Sequence, residues 1–279
     1  MTDGHRRVVW FSCGAASAVA AKLTVEAYGD GCEVVYCNTL SAEHPDNARF
    51  FADVERWIER PITVIRSAKF ASVDDVFERR RYMAGPNGAI CTTQMKKIPR
   101  LEWQQPDDVH VFGYTADERK RADDFEKHNP EIAVEHILID EWVTKAECLA
   151  RVRAAGIVLP AMYALGFEHN NCLGCVKSQS PGYWNLTRRL FPDVFEKRIR
   201  QSRAIGCRLV KIRLPGDPPS DDPPRHFLDE LPEGADAPQD DIECGPACQM
   251  PLPFMDALVA RGALMVLDAE IAASKDGDE

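Results

Sequence analysis

The sequence predicts an α/β fold: a parallel, twisted sheet with helices on both faces, continued by a mostly helical C-terminal part and an acidic, Pro-rich mobile tail. Three observations predict it. Short apolar runs alternate with helix-length segments up to about residue 160, the pattern of βαβ units. A Gly among small residues separates the first strand from the first helix. Beyond residue 160 the alternation stops, and Pro215-Gly-Asp-Pro-Pro-Ser-Asp-Asp-Pro-Pro224 admits no regular structure.

In chain order, Arg7–Ser12 is a short apolar strand and Ala15–Tyr28 an Ala-rich helix stopped by Gly29. Glu33–Cys37 and Ile62–Ile65 are β-branched runs on either side of a helix from about Pro45 to Glu59. Val109–Phe112 reads as a buried strand, followed by the charged helix Ala116–His128. His136–Ile139 reads as a strand, and Thr144–Ala155 as a helix begun by a capping Thr and stopped by Gly156. Ligands of such sheets bind outside the carboxyl ends of the strands, where Ser12, Asn38 and Gly113 fall. Tyr183–Leu190 and Pro192–Ile205 read as helices and Arg208–Ile212 as one more strand, with order returning at Pro253–Arg261 and Ala263–Leu267. The expected organisation is an α/β domain over 1–160, a helical extension over 161–213, and an acidic linker with a C-terminal segment over 214–279.

Bulk properties narrow the class. A chain of 279 residues, 45% hydrophobic, suffices for one large domain with an appended tail. No run approaches the roughly 18 apolar residues of a membrane span. His5-Arg6-Arg7 before an apolar stretch has the look of a secretory signal, but Ser12, Cys13 and Gly14 interrupt it where a strand-to-helix turn belongs, so a cytoplasmic location is expected. Ten cysteines are too few for a disulfide scaffold, and the close pairs Cys172/Cys175 and Cys244/Cys248 suit metal binding or catalysis in a reducing compartment. The net charge of −10 is uneven: Asp217 to Glu243 holds ten acidic residues against Arg225 alone, a balance of −9. The rest is close to neutral, and its cations cluster at Arg79-Arg80-Arg81, Lys96-Lys97, Arg119-Lys120-Arg121 and Arg188-Arg189.

Two sets of residues carry chemistry. In Phe11-Ser-Cys-Gly-Ala-Ala-Ser17 a Gly with small neighbours lets consecutive N–H groups face one anion, while the following helix adds its positive end and Ser12 and Ser17 add hydroxyls. It is neither a Walker loop nor a G-x-G-x-x-G turn. Cys91, in Ile90-Cys-Thr-Thr-Gln-Met-Lys-Lys97, and Cys172-Leu-Gly-Cys175 supply three thiolates, which suit a [4Fe–4S] cluster or a zinc site. A thioredoxin-like redox pair is the other reading of Cys172/Cys175. Cys13, Cys32, Cys37, Cys148 and Cys207 read as small buried apolar residues, Cys13 being marked out by its place in the loop.

The segment Ser12–Ser17 resembles the PP-loop, Ser-Gly-Gly-x-Asp-Ser, of ATP pyrophosphatases and phosphoadenylyl-sulfate (PAPS) reductases; Ser12, Gly14 and Ser17 match, Cys13 replaces a Gly and Ala16 the Asp. Val35-Tyr-Cys-Asn-Thr39 with Glu43-His-Pro-Asp46 is similar to that family's second-strand region beside the adenine. Gly113-Tyr-Thr-Ala-Asp-Glu-Arg-Lys-Arg121 is similar to its Gly-x-Arg-x-x-Glu-Ser-x-x-Arg segment, and Leu159–Phe167 to the stretch before its Cys-x-x-Cys. The order agrees over residues 7–200.

The resemblance implies an adenine nucleotide α-hydrolase-like fold that binds ATP or another adenine nucleotide, with Mg²⁺, through Ser12, Cys13, Gly14, Ala15, Ser17, Asn38, Thr39, Gly113, Glu118 and Arg121. Lys96, Lys97 and Arg119 would meet phosphate or substrate, and Cys91, Cys172 and Cys175 would hold the cluster, one ligand short of the family's tandem Cys pair. The tail Ile242-Glu-Cys-Gly-Pro-Ala-Cys248 resembles the Glu-Cys-Gly-Leu-His segment of sulfonucleotide reductases, which makes Cys244 a candidate nucleophile or a fourth ligand. The implied activity is adenylation of a substrate followed by sulfur transfer, with a sulfur donor or thiol reductant as partner and nucleic acid among the acceptors. Sulfonucleotide reduction through Cys244, and non-catalytic nucleotide binding with a structural zinc, are the alternatives. An oligomer is compatible with either.

Overall fold

The computed structural model describes residues 4–85 and 88–239. Its centre is a five-stranded, all-parallel sheet in the order β3-β2-β1-β6-β7. The first three strands are β1 (Arg7–Phe11), β2 (Cys32–Cys37) and β3 (Ile62–Ile65), connected by α1 (Ala15–Tyr28) and α2 (Asn47–Ile58). Residues of β1 point alternately to two separate cores. Val9 and Phe11 pack with α1, Val34 and Tyr36, whereas Val8 and Trp10 pack with Val35, Cys37, Phe112 and Phe125. Burial on both faces is what a central parallel strand requires and explains why β1 is apolar without alternation.

The chain then leaves the sheet through α3 (Val73–Arg80), the short hairpin β4 (Ala84–Gly85) and β5 (Gly88–Ala89), and a helical run made of α4 (Ile90–Thr92), a wide π-turn over Thr93–Lys97 and α5 (Ile98–Trp103). It returns on the other side of β1 as β6 (Val109–Val111), α6 (Arg119–His128) and β7 (Ala133–Glu135), followed by α7 (Ile137–Asp140) and α8 (Lys145–Ala154). Because β2 and β6 flank β1 on opposite sides, the loops after β1 and β6 part from each other and open a crevice at their carboxyl ends.

After α9 (Ala161–Ala164) come α10 (Pro181–Leu190) and α11 (Pro192–Ile205), then the two-stranded pair β8 (Val210–Lys211) and β9 (Arg225–His226). These elements form a third core together with Phe70–Met95: Phe77, Met83, Met95, Trp184, Phe195 and Val210 are buried in one cluster. The join is electrostatic as well. Asp74 of α3 meets the buried Arg198 guanidinium of α11 at 2.6 Å and Lys197 at 2.7 Å. The excursion over residues 70–95 therefore packs with the helical C-terminal part.

Two sequence expectations are corrected. His136–Ile139 is not a strand: the strand is Ala133–Glu135, in register with Val109–Val111, and Ile137–Asp140 is a helical turn. Its apolar side chains are shared between the two sheet cores, Ile137 and Leu138 going to one and Ile139 to the other. A short apolar run cannot by itself separate a buried strand from a buried turn of helix.

The stretch beginning at residue 214 is also not mobile throughout. The Pro-rich residues lack regular structure, but beyond them β9 pairs with β8, and Leu228 and Leu231 are buried. Residues 232–239 then lie along α10, held by Asn185 Nδ2 donating to the carbonyls of Pro232 (2.9 Å) and Ala235 (2.6 Å). A Cβ on Gly182 would collide with the Ala237 carbonyl, so Gly is required for this approach. The charge that marks the stretch in the sequence conceals two apolar anchors. The expected order at Pro253–Arg261 and Ala263–Leu267 lies outside the described residues. Among the described residues no helix is long and apolar enough to cross a membrane.

Candidate functional site

The crevice between β1 and β6 is a cleft lined by Ser12, Gly14, Ala15 and Ser17 of the first loop, Gly113 after β6, Lys96, Arg121 and Cys172. All eight belong to the sequence-derived set. Trp10, Glu43, Tyr114, Lys145, Tyr163, His169 and Asn170 complete much of the wall.

The loop is built around the start of α1. Gly14 is its N-cap, in extended conformation and with no side-chain cap. The first helical bond runs from Ala18 N–H to the Gly14 carbonyl, so the N–H groups of Gly14, Ala15, Ala16 and Ser17 precede the helical ladder. Uncapped N–H groups and the helix dipole make this end electropositive. The two serines are engaged with the loop itself: Ser17 Oγ donates to the Gly14 carbonyl at 3.0 Å and accepts from Ser12 N–H at 3.1 Å, with Ser12 Oγ 3.2 Å away. They brace the turn from within.

Gly113 brings β6 against this turn. A Cβ there would lie 2.8 Å from Ser17 N and 2.9 Å from Ser17 Cα, both backbone atoms. Arg121 reaches the cleft from α6 and pairs with Glu118, whose carboxylate also accepts from Thr115 N–H and Oγ in a capping box. Glu118 thus orients Arg121 without lining the cleft itself. Lys96 enters from the π-turn, a distortion that rotates it away from the ordinary helical phase.

Beneath the cleft lies a buried polar network. The Glu43 carboxylate accepts from Thr39 Oγ (2.5 Å), Tyr36 OH (3.0 Å) and Asn47 Nδ2 (2.7 Å). Asn170 Nδ2 donates to Asn47 Oδ1 (2.8 Å) and to the Cys13 carbonyl (2.7 Å). Burial, with Glu43 adding to it, pushes the Cys13 thiol well above its ordinary range, so this cysteine packs as a neutral side chain. Its backbone is what shapes the loop.

Asn38, Thr39, Lys97, Glu118, Arg119, Cys13, Cys91 and Cys175 are not among the residues lining the cleft. Asn38 caps the turn at Leu40, Thr39 acts through Glu43, and Lys97 is buried. Cys172 and Cys175 sit around Tyr183, whose hydroxyl accepts from Cys175 N–H at 2.7 Å and lies 3.4 Å from the Cys172 carbonyl. Cys91 packs against the apolar cluster that contains Cys175. Their thiols have the softness an iron–sulfur cluster needs, but among the described residues no three Cys, His, Asp or Glu side chains gather into a metal-holding group. Cys244 and Cys248 lie outside the described residues.

Sequence reasoning missed Lys145, His169 and Asn170. Lys145 Nζ stands 3.4 Å from His169 Nδ1 at the cleft. Lys145 carries no sequence mark beyond following the capping Thr144, whereas Asn170 could have been suspected from its place two residues before Cys172. No protein-family model matches this chain, and no curated protein matches it.

Proposed function

We propose that this chain is an enzyme that binds ATP or a related adenine nucleotide in the β1/β6 cleft and uses it for sulfur chemistry, by adenylating a substrate and then transferring sulfur to it. The observation that carries the reading is the uncapped N-terminus of α1, with Lys96, Lys145, Arg121 and Cys172 among the residues lining the same cleft. In the first step a substrate oxygen would attack the α-phosphorus and pyrophosphate would leave. The cations and loop N–H groups would neutralise the charge that leaves with it. In the second step a sulfur nucleophile would displace AMP from the activated substrate. Among the described residues, Cys172 is the cysteine that lines the cleft where that sulfur would arrive.

The proposed cluster ligands remain Cys91, Cys172 and Cys175, which supply the right donor type. A cluster there would contribute an iron site for the sulfur. No step above depends on it.

The test is calorimetric titration of ATP into the wild-type chain and into Gly14→Val. A Cβ at Gly14 would meet only Ser12 Oγ at 3.8 Å and Ser17 Oγ at 3.9 Å, and its φ of −96° suits any residue. The variant should therefore fold, while its side chain stands where the phosphates must approach. Loss of ATP binding in a folded Gly14→Val supports the reading, and equal binding by both proteins removes it.

A further inference from the structure

Cys13 has a φ of 57°, the left-handed region where a non-glycine side chain is strained. The strain falls inside the loop that faces the cleft, at a position where the resembling loops have Gly. Something must hold it.

The Cys13 carbonyl accepts from Asn170 Nδ2 at 2.7 Å, and the second hydrogen of that amide goes to Asn47 Oδ1 at 2.8 Å. With both donors engaged, the orientation of the amide is settled. Asn47 is itself fully buried and tied to Glu43, so the clamp rests on a rigid base. Asn170 is nine-tenths buried and lines the cleft, and its Oδ1, itself buried, has no hydrogen-bond partner among the described residues.

The peptide between Cys13 and Gly14 is trans, so its carbonyl and its N–H point in opposite directions. Holding the carbonyl toward Asn170 thereby fixes the direction of the Gly14 N–H, the first of the uncapped donors of α1. We propose that Asn170 is a positioning residue: it permits a non-glycine at position 13 to keep the left-handed conformation, and so sets the affinity of the loop for phosphate. The idea rests on the phosphate-binding reading of the cleft and extends it to a residue 157 positions away in sequence.

Without the clamp, Cys13 relaxes to negative φ and the peptide plane rotates, turning the Gly14 N–H from the anion. A glycine at 13 carries no such penalty, because left-handed φ is open to it. Restoring glycine should therefore make the clamp dispensable.

The experiment measures binding of ATP, inorganic pyrophosphate and adenosine to wild type, Asn170→Ala and Cys13→Gly/Asn170→Ala, each checked for folding by circular dichroism. Asn170→Ala should lose about tenfold or more in affinity for ATP and pyrophosphate, the effect of one misdirected charge-assisted hydrogen bond, with adenosine unchanged. The double variant should recover to within about threefold of wild type, the coupling expected of two residues in one contact. Asn170→Ser serves the same comparison if Asn170→Ala does not fold. Unchanged pyrophosphate affinity in the single variant overturns the proposal. So does an equal loss for adenosine, or a double variant no better than the single one. Wild-type protein that binds pyrophosphate but not ATP removes the adenine reading and leaves this comparison intact; protein that binds neither overturns both.

Discussion

Gly113→Ala perturbs the closest approach in the cleft by a single methyl group. The added Cβ would stand 2.8 Å from Ser17 N, 2.9 Å from Ser17 Cα and 3.1 Å from Ala16 C. Comfortable contacts of this kind begin near 3.5 Å, so the first turn of α1 must move by roughly 0.7 Å. No flexible side chain can yield, since all three atoms belong to the backbone. Overpacking of this kind costs about 1–3 kcal/mol, which for a chain of this size lowers Tm by roughly 2–10 °C. The same displacement moves the N–H groups proposed to bind phosphate, and loss of one charge-assisted hydrogen bond is worth about tenfold or more in affinity. Thermal denaturation followed by calorimetric titration of ATP reads both effects. Gly31→Ala is the control, because its Cβ would meet nothing nearer than Tyr28 Cβ at 4.0 Å. A Gly113→Ala protein with Tm within about 1 °C of wild type and unchanged ATP affinity would refute the reasoning.

Three further outcomes are expected. Gly14→Val should keep its melting temperature within about 2 °C while ATP binding is lost, because the added Cβ meets only ordinary contacts in the protein and the side chain would occupy the proposed phosphate approach. His110 is buried, accepts from Trp10 Nε1 at 2.9 Å, and is pushed from 6.5 to about 4 by burial and by the nearby Arg100. The unfolded chain takes up a proton near pH 6.5 that the folded chain refuses until about pH 4, so stability present above 6.5 is lost as pH falls through that window. The loss is at most about 3 kcal/mol, and His110→Gln, which keeps an acceptor for Trp10, should flatten the urea-unfolding stability between those pH values; an unchanged slope would remove His110 as its source. Anaerobically purified protein should be brown with about four irons per chain, and Cys172→Ser should lower that content; colourless protein with one zinc would end the cluster proposal.

Local chemistry carried much of this architecture. The limits of α1, Ala15–Tyr28, follow from the small-residue turn before it and Gly29 after it, and α11 follows from Pro192 and Gly206. The strand β3 lies where its β-branched run predicts, and the loop–helix junction at Ser12–Ser17 is where the glycine and serines place it. These are short-range matters of propensity and capping, and a sequence states them directly. What sets the cleft is not short-range. Gly113 abuts Ser17 from a strand about a hundred residues later only because β6 pairs with β1 in parallel, with Val9 opposite Val111. Lys145, His169 and Asn170 join the wall because α8 and the segment before Cys172 fold over the same crevice.

The tertiary structure alone decided which polar groups brace others and which face open space. Glu118 looks like a ligand residue in the sequence but holds Arg121, and Thr39 holds Glu43. Cys13 takes a left-handed φ of 57°, and the donor that meets its carbonyl, Asn170, lies far along the chain. A buried carbonyl needs a donor, and which donor supplies it depends on chain crossings that no local pattern records. The acidic stretch makes the same point in reverse. Its charge describes the solvent face of the chain, while Leu228, Leu231 and the hydrogen bonds to Asn185 describe the face that packs.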